Sequence, residues 1–89
     1  MLNTRSLEKI IKGCANHRRI QIMDLLDKKP ELSVFEVANE LKANFKTISE
    51  HIRRLAHAGL VLKRNDAAAV RHALSEKGRL ILKFLRTLE

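Results

Sequence analysis

The sequence predicts a mainly α-helical fold of about five helices with a small two-stranded antiparallel β-ribbon. Three observations lead to this fold class. Apolar residues recur at helical spacing in four stretches before Gly59, they alternate in the stretch that follows, and helical spacing returns after Ser75. The chain has 89 residues, with three Phe and neither Trp nor Tyr. We therefore expect one domain, residues 1–89, with an aliphatic core.

Two helices are expected in the first third of the chain. The first covers about residues 4–14, where an apolar stripe has the spacing i, i+3, i+4 and i+7. This stripe consists of Leu7, Ile10, Ile11 and Cys14. Asn16 can cap the second helix, and Pro30 stops it. The side chains predicted to face inward from it are Ile20 and Met23, with Ile22 and Leu26 as further candidates.

The next two helices have the clearest boundaries. Ser33 and Glu36 have the spacing of a capping box, in which each side chain satisfies a backbone amide at the start of a helix. After a short break at residues 42–44, Asn44 is the expected cap of a fourth helix, which Gly59 ends in a left-handed conformation. The two apolar stripes are Val34, Val37, Ala38 and Leu41 in the third helix, and Ile48, Ile52, Leu55 and Ala56 in the fourth.

A two-stranded ribbon is expected after Gly59, with its turn at residues 65–68. The residues predicted to share the inward face include Leu60 and Leu62 in the first strand and His72 and Leu74 in the second. His72 is therefore predicted to face inward. The basic side chains predicted to face outward are Lys63 and Arg71.

The last helix is expected to start at Ser75 and Glu76, to run to about residue 88, and to be apolar on more than one side. Its apolar residues are Leu80, Ile81, Leu82, Phe84, Leu85 and Leu88. A helix on the surface of a domain needs only one apolar face. The second apolar face therefore predicts contact with another subunit.

Positive charge is concentrated in the second half of the chain. The formal net charge is +8, and the sequence pI is about 10.3. Residues 1–45 contain eight bases and six acids, whereas residues 46–89 contain ten bases and four acids. Because attraction to phosphates supplies most nonspecific affinity for nucleic acids, this bias predicts a surface that faces a polyanion. The alternative is a basic coat that only maintains solubility.

Other classes of protein find little support in the sequence. The longest apolar run, residues 67–70, is far shorter than the roughly 20 residues that span a bilayer. The amino terminus lacks the apolar stretch of a secretory signal, so we expect a cytoplasmic protein that makes no membrane contact. One Cys excludes a disulfide framework within the chain. Because no nucleophile–base–acid set and no glycine-rich phosphate loop is present, we expect neither enzyme activity nor a cofactor.

The third and fourth helices, joined by a tight turn, have the arrangement of a helix-turn-helix, and the ribbon makes it a winged helix-turn-helix. Such a fold places one helix in the major groove of double-stranded DNA, with short polar side chains at the base edges. The side chains predicted to read bases are Lys46, Thr47, Ser49 and Glu50. Those predicted to hold phosphates are Arg53, Arg54 and His57. The predicted wing contacts are Lys63, Arg64 and Arg71, although Asp66 near the tip opposes them.

Five segments of the chain resemble a known family. They are Asn16–Ile20, Glu31–Val37, Thr47–Leu55, Ala58–Val61 and Leu74–Gly78. Together they resemble the ArsR-type winged-helix repressors, and the last segment is also similar to MarR-type regulators. The resemblance implies a homodimer that represses transcription and is released by a signal. A homodimer should read an inverted repeat in double-stranded DNA because of its two-fold symmetry.

The resemblance places the dimer interface in the first and last helices, residues 4–14 and 76–88. The expected interface residues are Leu7, Ile10, Ile11, Cys14, Ile81, Phe84, Leu85 and Leu88. Cys14 is expected to act there as a small apolar side chain. The alternative is redox control by a disulfide between the two copies of Cys14.

The chain departs from the family pattern at the position where metal-sensing members bind metal. Those members carry a Cys-x-Cys in the third helix, and the two corresponding residues here are Ser33 and Phe35. Soft metals need thiolate ligands. The last helix also lacks the Asp and His residues with which other members bind zinc. We therefore expect no metal site, and the sequence does not identify an effector.

Several alternatives stay open at this point. Arg19 either holds a phosphate or pairs with a carboxylate on a neighbouring helix, and His51 either packs inside or lies beside a phosphate. The alternative for the whole protein is a winged-helix protein-interaction module in a transcription or DNA-processing complex, in which base-reading residues would be idle. RNA binding is disfavoured because exposed aromatic residues, on which bases stack, are nearly absent.

Overall fold

Five α-helices and one two-stranded antiparallel sheet make up the structure, a computed structural model that describes all 89 residues. The helices are α1 (Thr4–Cys14), α2 (His17–Lys28), α3 (Val34–Leu41), α4 (Phe45–His57) and α5 (Glu76–Arg86). The strands, which lie between α4 and α5, are β1 (Val61–Asp66) and β2 (Ala69–Leu74). None of the helices is both long enough and apolar enough to cross a membrane. The mainly α-helical fold with a β-ribbon is confirmed.

Short polar residues start the helices, as predicted. Asn16 accepts two backbone amides at the start of α2. Ser33 and Glu36 form the capping box, with the Ser33 amide donating to the Glu36 carboxylate at 2.9 Å and the Glu36 amide donating to Ser33 Oγ at 3.2 Å. Lys42, with a φ of 52°, and Gly59, with a φ of 79°, adopt the left-handed conformation that ends α3 and α4. These local signals are why the predicted boundaries of α1 to α4 agree closely with the structure.

The core surrounds the inner face of α4. Fourteen buried apolar residues form one cluster, to which α4 contributes Ile48, Ile52 and Leu55, each no more than 1% exposed. The helix packs against α1, α2, α3 and β1. Ile20, which was predicted to face inward from α2, is only half-buried. Because α4 is held along one face by four elements, its opposite face is presented rigidly to solvent.

In the first strand of the ribbon, the residues that share a face with His72 and Leu74 are not the ones that were predicted. Val61 pairs with Leu74 and Lys63 pairs with His72, so these four side chains share one face of the ribbon. The prediction that Lys63 occupies an outward position is therefore wrong, although its side chain is exposed. The alternation fails because Leu60 lies in the turn before the strand, and both Leu60 and Val61 are buried.

The turn of the ribbon and the end of α5 are both shorter than predicted. Asn65 and Asp66 belong to β1, which leaves only residues 67–68 in the turn. The last helix ends at Arg86 instead of near residue 88. Its start is confirmed, because Ser75 Oγ accepts the Gly78 amide at 2.9 Å and donates to the Gly59 carbonyl at 2.7 Å. The first bond caps α5, and the second joins the start of α5 to the end of α4.

His72 faces inward, as predicted, and fastens the ribbon to the segment before α3. Its side chain is 1% exposed, and Nδ1–H donates to the carbonyl of Leu32 at 2.8 Å. Backbone bonds in both directions join His72 to Glu31 and Leu32. Burial lowers the pKa of His72 below its ordinary value, and the bond to Leu32 opposes this shift.

Candidate nucleic-acid interface

The exposed face of α4 brings together the side chains that were predicted to contact DNA. Six of them are exposed, namely Lys46, Thr47, Glu50, Arg53, Arg54 and His57. Ser49, the seventh, is half-buried. The face is therefore continuous from the first turn of the helix to the last.

The first turn of α4 is suited to attract an anion. Asn44 Oδ1 accepts the Thr47 amide at 3.1 Å and the Thr47 hydroxyl at 3.4 Å. The turn contains no acidic residue, and Lys46 is exposed without an ion pair. The partial positive charge of a helix amino terminus adds to the charge of this lysine.

Phe45 is a candidate that sequence reasoning missed. It is the first residue of α4, directly after the cap Asn44, and its side chain is 53% exposed. Its spacing of three residues before Ile48 continues the apolar stripe of α4, so the sequence pattern gave no signal of its exposure. An apolar side chain at this end of a recognition helix can contact the methyl group of thymine.

Glu50 holds two arginines on the outer face of α4. Its carboxylate accepts Arg53 Nε at 2.9 Å, a terminal nitrogen of Arg53 at 2.7 Å, and Arg54 Nε at 3.0 Å. The hydrogen bond from Arg53, with a smaller contribution from Arg54, lowers the pKa of Glu50 to about 2. In this conformation the hydrogen bonds to Glu50 hold both guanidinium groups in place, and both carboxylate oxygens already accept hydrogen bonds from them.

The wing carries three predicted cations, which differ in their surroundings. Arg64 donates through Nε to Glu31 Oε1 at 2.7 Å and makes a second bond to the same oxygen through a terminal nitrogen. Lys63 is exposed and makes no ion pair. Among the wing residues, Lys63 is thus the cation whose charge is not already matched by a carboxylate.

Arg71 connects the ribbon to the start of α3. It donates to the carbonyl of Glu31 at 3.1 Å, to Asp66 at 3.1 Å and to Glu36 at 3.5 Å. Its side chain is 29% exposed, and its hydrogen bond lowers the pKa of Asp66. The geometry gives Arg71 a positioning role, because its donors are used within the domain.

The sequence model described as bacterial regulatory protein, arsR family, matches residues 16–63. This segment is more than half of the chain, and it contains α2, α3, α4 and the start of the ribbon. The chain belongs to the ArsR family. The resemblance that the sequence motifs suggested is thereby confirmed.

Two curated relatives of this ArsR-family protein are named as transcriptional regulators. The transcriptional activator HlyU of Vibrio cholerae is 35% identical, over 83% of this chain and 74% of the relative. A homolog of CadC, the cadmium resistance transcriptional regulatory protein, from Staphylococcus aureus is 28% identical, over 84% of this chain and 62% of the relative. Together with the family match, they show that the chain is a DNA-binding transcriptional regulator.

Solved structures show the same winged helix-turn-helix architecture. A homodimeric DNA-binding domain, Mb0332 of Mycobacterium bovis, described as a possible ArsR-family regulator, superimposes with a TM-score of 0.86 at 26% identity, covering 96% of this chain and 79% of that one. HlyU of Vibrio cholerae superimposes with a TM-score of 0.83 at 32% identity, covering 97% and 94%. The predicted winged helix-turn-helix is confirmed.

In this ArsR-family protein, Arg19 pairs with no carboxylate, which was one of the two roles that the sequence suggested. It donates to the backbone carbonyls of Lys12 and Gly13, both at 3.2 Å, and to His51 Nδ1 at 3.1 Å. Arg19 of α2 therefore fastens the end of α1 to the middle of α4. Burial and the charge of Arg19 lower the pKa of His51.

Seven of the eight residues predicted for the dimer interface fall into two groups. Four of them are exposed on α1 and α5 or just beyond them, namely Leu7, Ile11, Phe84 and Leu88, with exposures from 42% to 65%. The other three, Ile10, Ile81 and Leu85, are half-buried, and Ile10 and Ile81 pack against the core. Leu80, at 65% exposure, is a further apolar residue of α5 that belongs with the exposed group.

Cys14 lies in the core and not on the exposed side of α1. It is 4% exposed, and its thiol donates to the carbonyl of Ile11 at 3.4 Å. Burial raises the pKa of Cys14, which disfavours the reactive thiolate. The geometry supports the apolar packing role over a disulfide between two copies.

Ser33 and Phe35 occupy the positions at which metal-sensing relatives were expected to carry cysteines. Ser33 caps α3, and Phe35 is 64% exposed. Neither side chain offers a thiolate. His, Cys, Asp and Glu residues form no group of three or more that could hold a metal ion.

Proposed function

We propose that this ArsR-family protein is a homodimeric repressor that acts in the cytoplasm and reads an inverted repeat of double-stranded DNA. The observation that carries the proposal is the first turn of α4, which is exposed, free of acidic residues, and held rigidly by the buried face of the helix. Lys46, Thr47 and Ser49 would contact bases from this turn. The homodimeric state stated for the Mycobacterium bovis domain supports the two-fold arrangement.

Arg53, Arg54 and Glu50 would act together in DNA binding. The two arginines lie about two turns beyond Lys46, where a helix in the major groove meets the flanking phosphates. When they move to phosphates, the Glu50 carboxylate loses its partners and becomes able to accept a hydrogen bond from cytosine N4. His57 would extend the phosphate contact to the end of α4. On the wing, Lys63 and Arg64 would reach the neighbouring backbone, and Arg71 would hold the wing in place.

DNA binding can be tested by selecting bound duplexes from a randomised pool. We expect the wild-type protein to enrich an inverted repeat with half-sites about one helical turn apart. Thr47→Val keeps the side-chain shape but loses the hydroxyl, so it should change the enriched sequence while affinity for random DNA stays within about twofold. Arg54→Gln should weaken binding to all sequences and reduce the salt slope by about 1 per protomer.

Two results would contradict this division of roles. The first is a wild-type protein that binds no duplex at 0.1 M salt, which would remove DNA binding altogether. The second is an enriched sequence that is identical for wild type and Thr47→Val. Repression is tested separately by transcription in vitro from a promoter that carries the selected repeat, where increased transcript would contradict it.

The dimer is proposed to form through the exposed apolar residues of α1 and α5. Phe84 is 56% exposed, and a carboxylate placed there would be desolvated at the interface. We expect Phe84→Glu to convert a dimer into a folded monomer in sedimentation velocity experiments. Leu62→Glu is the matched control, because Leu62 is 58% exposed but lies on the wing. Monomeric wild type, or equal behaviour of the two variants, would overturn this interface.

A further inference from the structure

A cleft with a volume of about 350 Å³ lies between α1 and the second half of α4. Its lining is mainly basic. The cations that line it are Arg5, Lys9, Lys12, Arg19, Arg53 and Arg54, and His57 lies beside them. Glu8 is the one acidic residue in the lining.

The acidic groups nearby do not neutralise this cleft. Glu8 pairs with Lys12 at 3.4 Å, and Glu50 pairs with Arg53 and Arg54. Arg5 and Lys9 are exposed, and neither lies within 4.0 Å of a carboxylate oxygen. The cleft therefore carries an excess of positive charge that the domain itself does not balance.

The stability of α1 does not account for these cations. Arg5 lies in the first turn of α1, where no acidic residue is present and where a cation opposes the helix dipole. Arg5 and Lys9 are also four residues apart, a spacing at which like charges destabilise a helix. The arrangement is unfavourable for the isolated helix, and it becomes favourable when an anion occupies the cleft.

The two sides of α1 have different chemistry. Side chains two residues apart in a helix point about 200° away from each other. Leu7 and Ile11, on the proposed dimer face, are each two residues beyond Arg5 and Lys9. One helix can therefore meet the second subunit with its apolar side and present its basic side to a different partner.

We propose that this basic cleft binds the sugar-phosphate backbone of DNA next to the segment read by α4. The inference rests on the proposed function and extends its interface from α4 and the wing to α1. Arg53 and Arg54 belong both to the cleft and to the outer face of α4, so the two surfaces are continuous. Arg54 lies about 12 Å along the helix from Lys46, which places the cleft beyond the bases read by the first turn.

The double variant Arg5→Gln, Lys9→Gln tests the proposal in the full chain. Its binding to a 40-base-pair duplex of mixed sequence is measured by fluorescence anisotropy over a range of salt concentrations. Each lost phosphate contact should reduce the slope of log K against log salt by about 0.9, so we expect a decrease of about 2 per protomer and at least tenfold weaker binding at 0.1 M salt.

A control variant separates local contacts from overall charge. Lys77→Gln, Lys83→Gln removes the same charge from exposed positions of α5, which does not line the cleft. We expect its salt slope to fall by less than about 0.5 per protomer. Thermal unfolding should show that both double variants are folded. In the cleft variant, the removal of Arg5 also relieves an unfavourable interaction with the dipole of α1.

The outcomes distinguish this inference from the proposed function. If the wild type binds no duplex, both fail. If the wild type binds DNA and Lys46→Gln weakens binding, but the cleft variant matches the control variant, only the cleft inference fails. Pyrophosphate provides the third comparison. If it raises the melting temperature of the wild type but not of the cleft variant, while both bind DNA equally, the cleft holds a small polyanion and the inference is overturned.

Discussion

Gly13 lies where α1 comes closest to α4, and replacing it with Ala should force the two helices apart. A Cβ atom at position 13 would lie 2.4 Å from Cβ of Ala58. Apolar carbon atoms pack at about 3.5–4.0 Å, so the helices would have to separate by about 1 Å or more. The displacement would also move the Gly13 carbonyl, which accepts a hydrogen bond from Arg19.

The magnitude follows from two opposing effects. Overpacking at a buried contact costs about 1–3 kcal/mol. Replacing a helical Gly with Ala returns roughly 0.5–1 kcal/mol, because Ala loses less backbone freedom on folding. We therefore expect Gly13→Ala to lower the free energy of unfolding by about 1–2 kcal/mol. With a urea m-value of about 1.5 kcal/mol/M, the midpoint of unfolding should fall by about 1 M.

Urea unfolding at one fixed protein concentration measures this effect, since the stability of a dimer depends on concentration. The decisive variant is Gly13→Ala combined with Ala58→Gly, which moves the methyl group from α4 to α1 and removes the clash. This double variant should be more stable than the two single changes predict, with a coupling of about 1–2 kcal/mol. Gly59→Ala is the control. No atom would lie within 4 Å of its Cβ, but its φ is 79°, so its cost comes from the backbone.

The reasoning would be refuted by a Gly13→Ala protein that is as stable as the wild type. It would equally be refuted if the effects of Gly13→Ala and Ala58→Gly were additive. A third contrary result would be rescue of Gly59→Ala by Ala58→Gly, because that pair has no clash to relieve.

Two further predictions concern the stability of the domain. The pKa of His72 in the folded protein lies below its ordinary value of 6.5, so its contribution to stability is present above about pH 6.5 and is lost as pH falls through the folded-state pKa. His72→Asn keeps a donor for Leu32 but cannot titrate, and its urea midpoint should fall less between pH 7.5 and 5.5 than that of the wild type; equal slopes would contradict this. Arg19→Met should lower the free energy of unfolding by about 1–2 kcal/mol and raise the pKa of His51 in an NMR titration, and an unchanged His51 pKa would argue against the bond from Arg19.

Local signals explain the parts of the fold that were predicted well. Ser33 and Glu36 cap α3 through bonds that span only three residues, and Asn44 caps α4 in the same way. The apolar stripe of Ile48, Ile52 and Leu55 needs only the period of a helix to identify the buried side of α4. The exposed side, which carries the proposed DNA contacts, follows as its complement.

Contacts between distant segments explain what the sequence did not predict. Arg71 lies on the ribbon face opposite His72, as expected, but its donors bind Glu31 and Glu36, which lie 40 and 35 residues away in the chain. The phase of the ribbon was also misjudged, because the burial of Leu60 depends on how the end of α4 meets the start of α5. These contacts cannot be predicted from any local pattern in the sequence.

The order of residues along the chain is sufficient to identify the helices, their caps and a recognition helix, because each depends on neighbours within about one turn. The basic cleft is different. Arg5 and Lys9 lie in the half of the chain in which acids nearly balance bases, and they join Arg53 and Arg54 only because Gly13 allows α1 to approach α4 closely. Basic residues that are distant in the sequence form one surface only when α1 packs against α4, and this packing exists only in the folded domain.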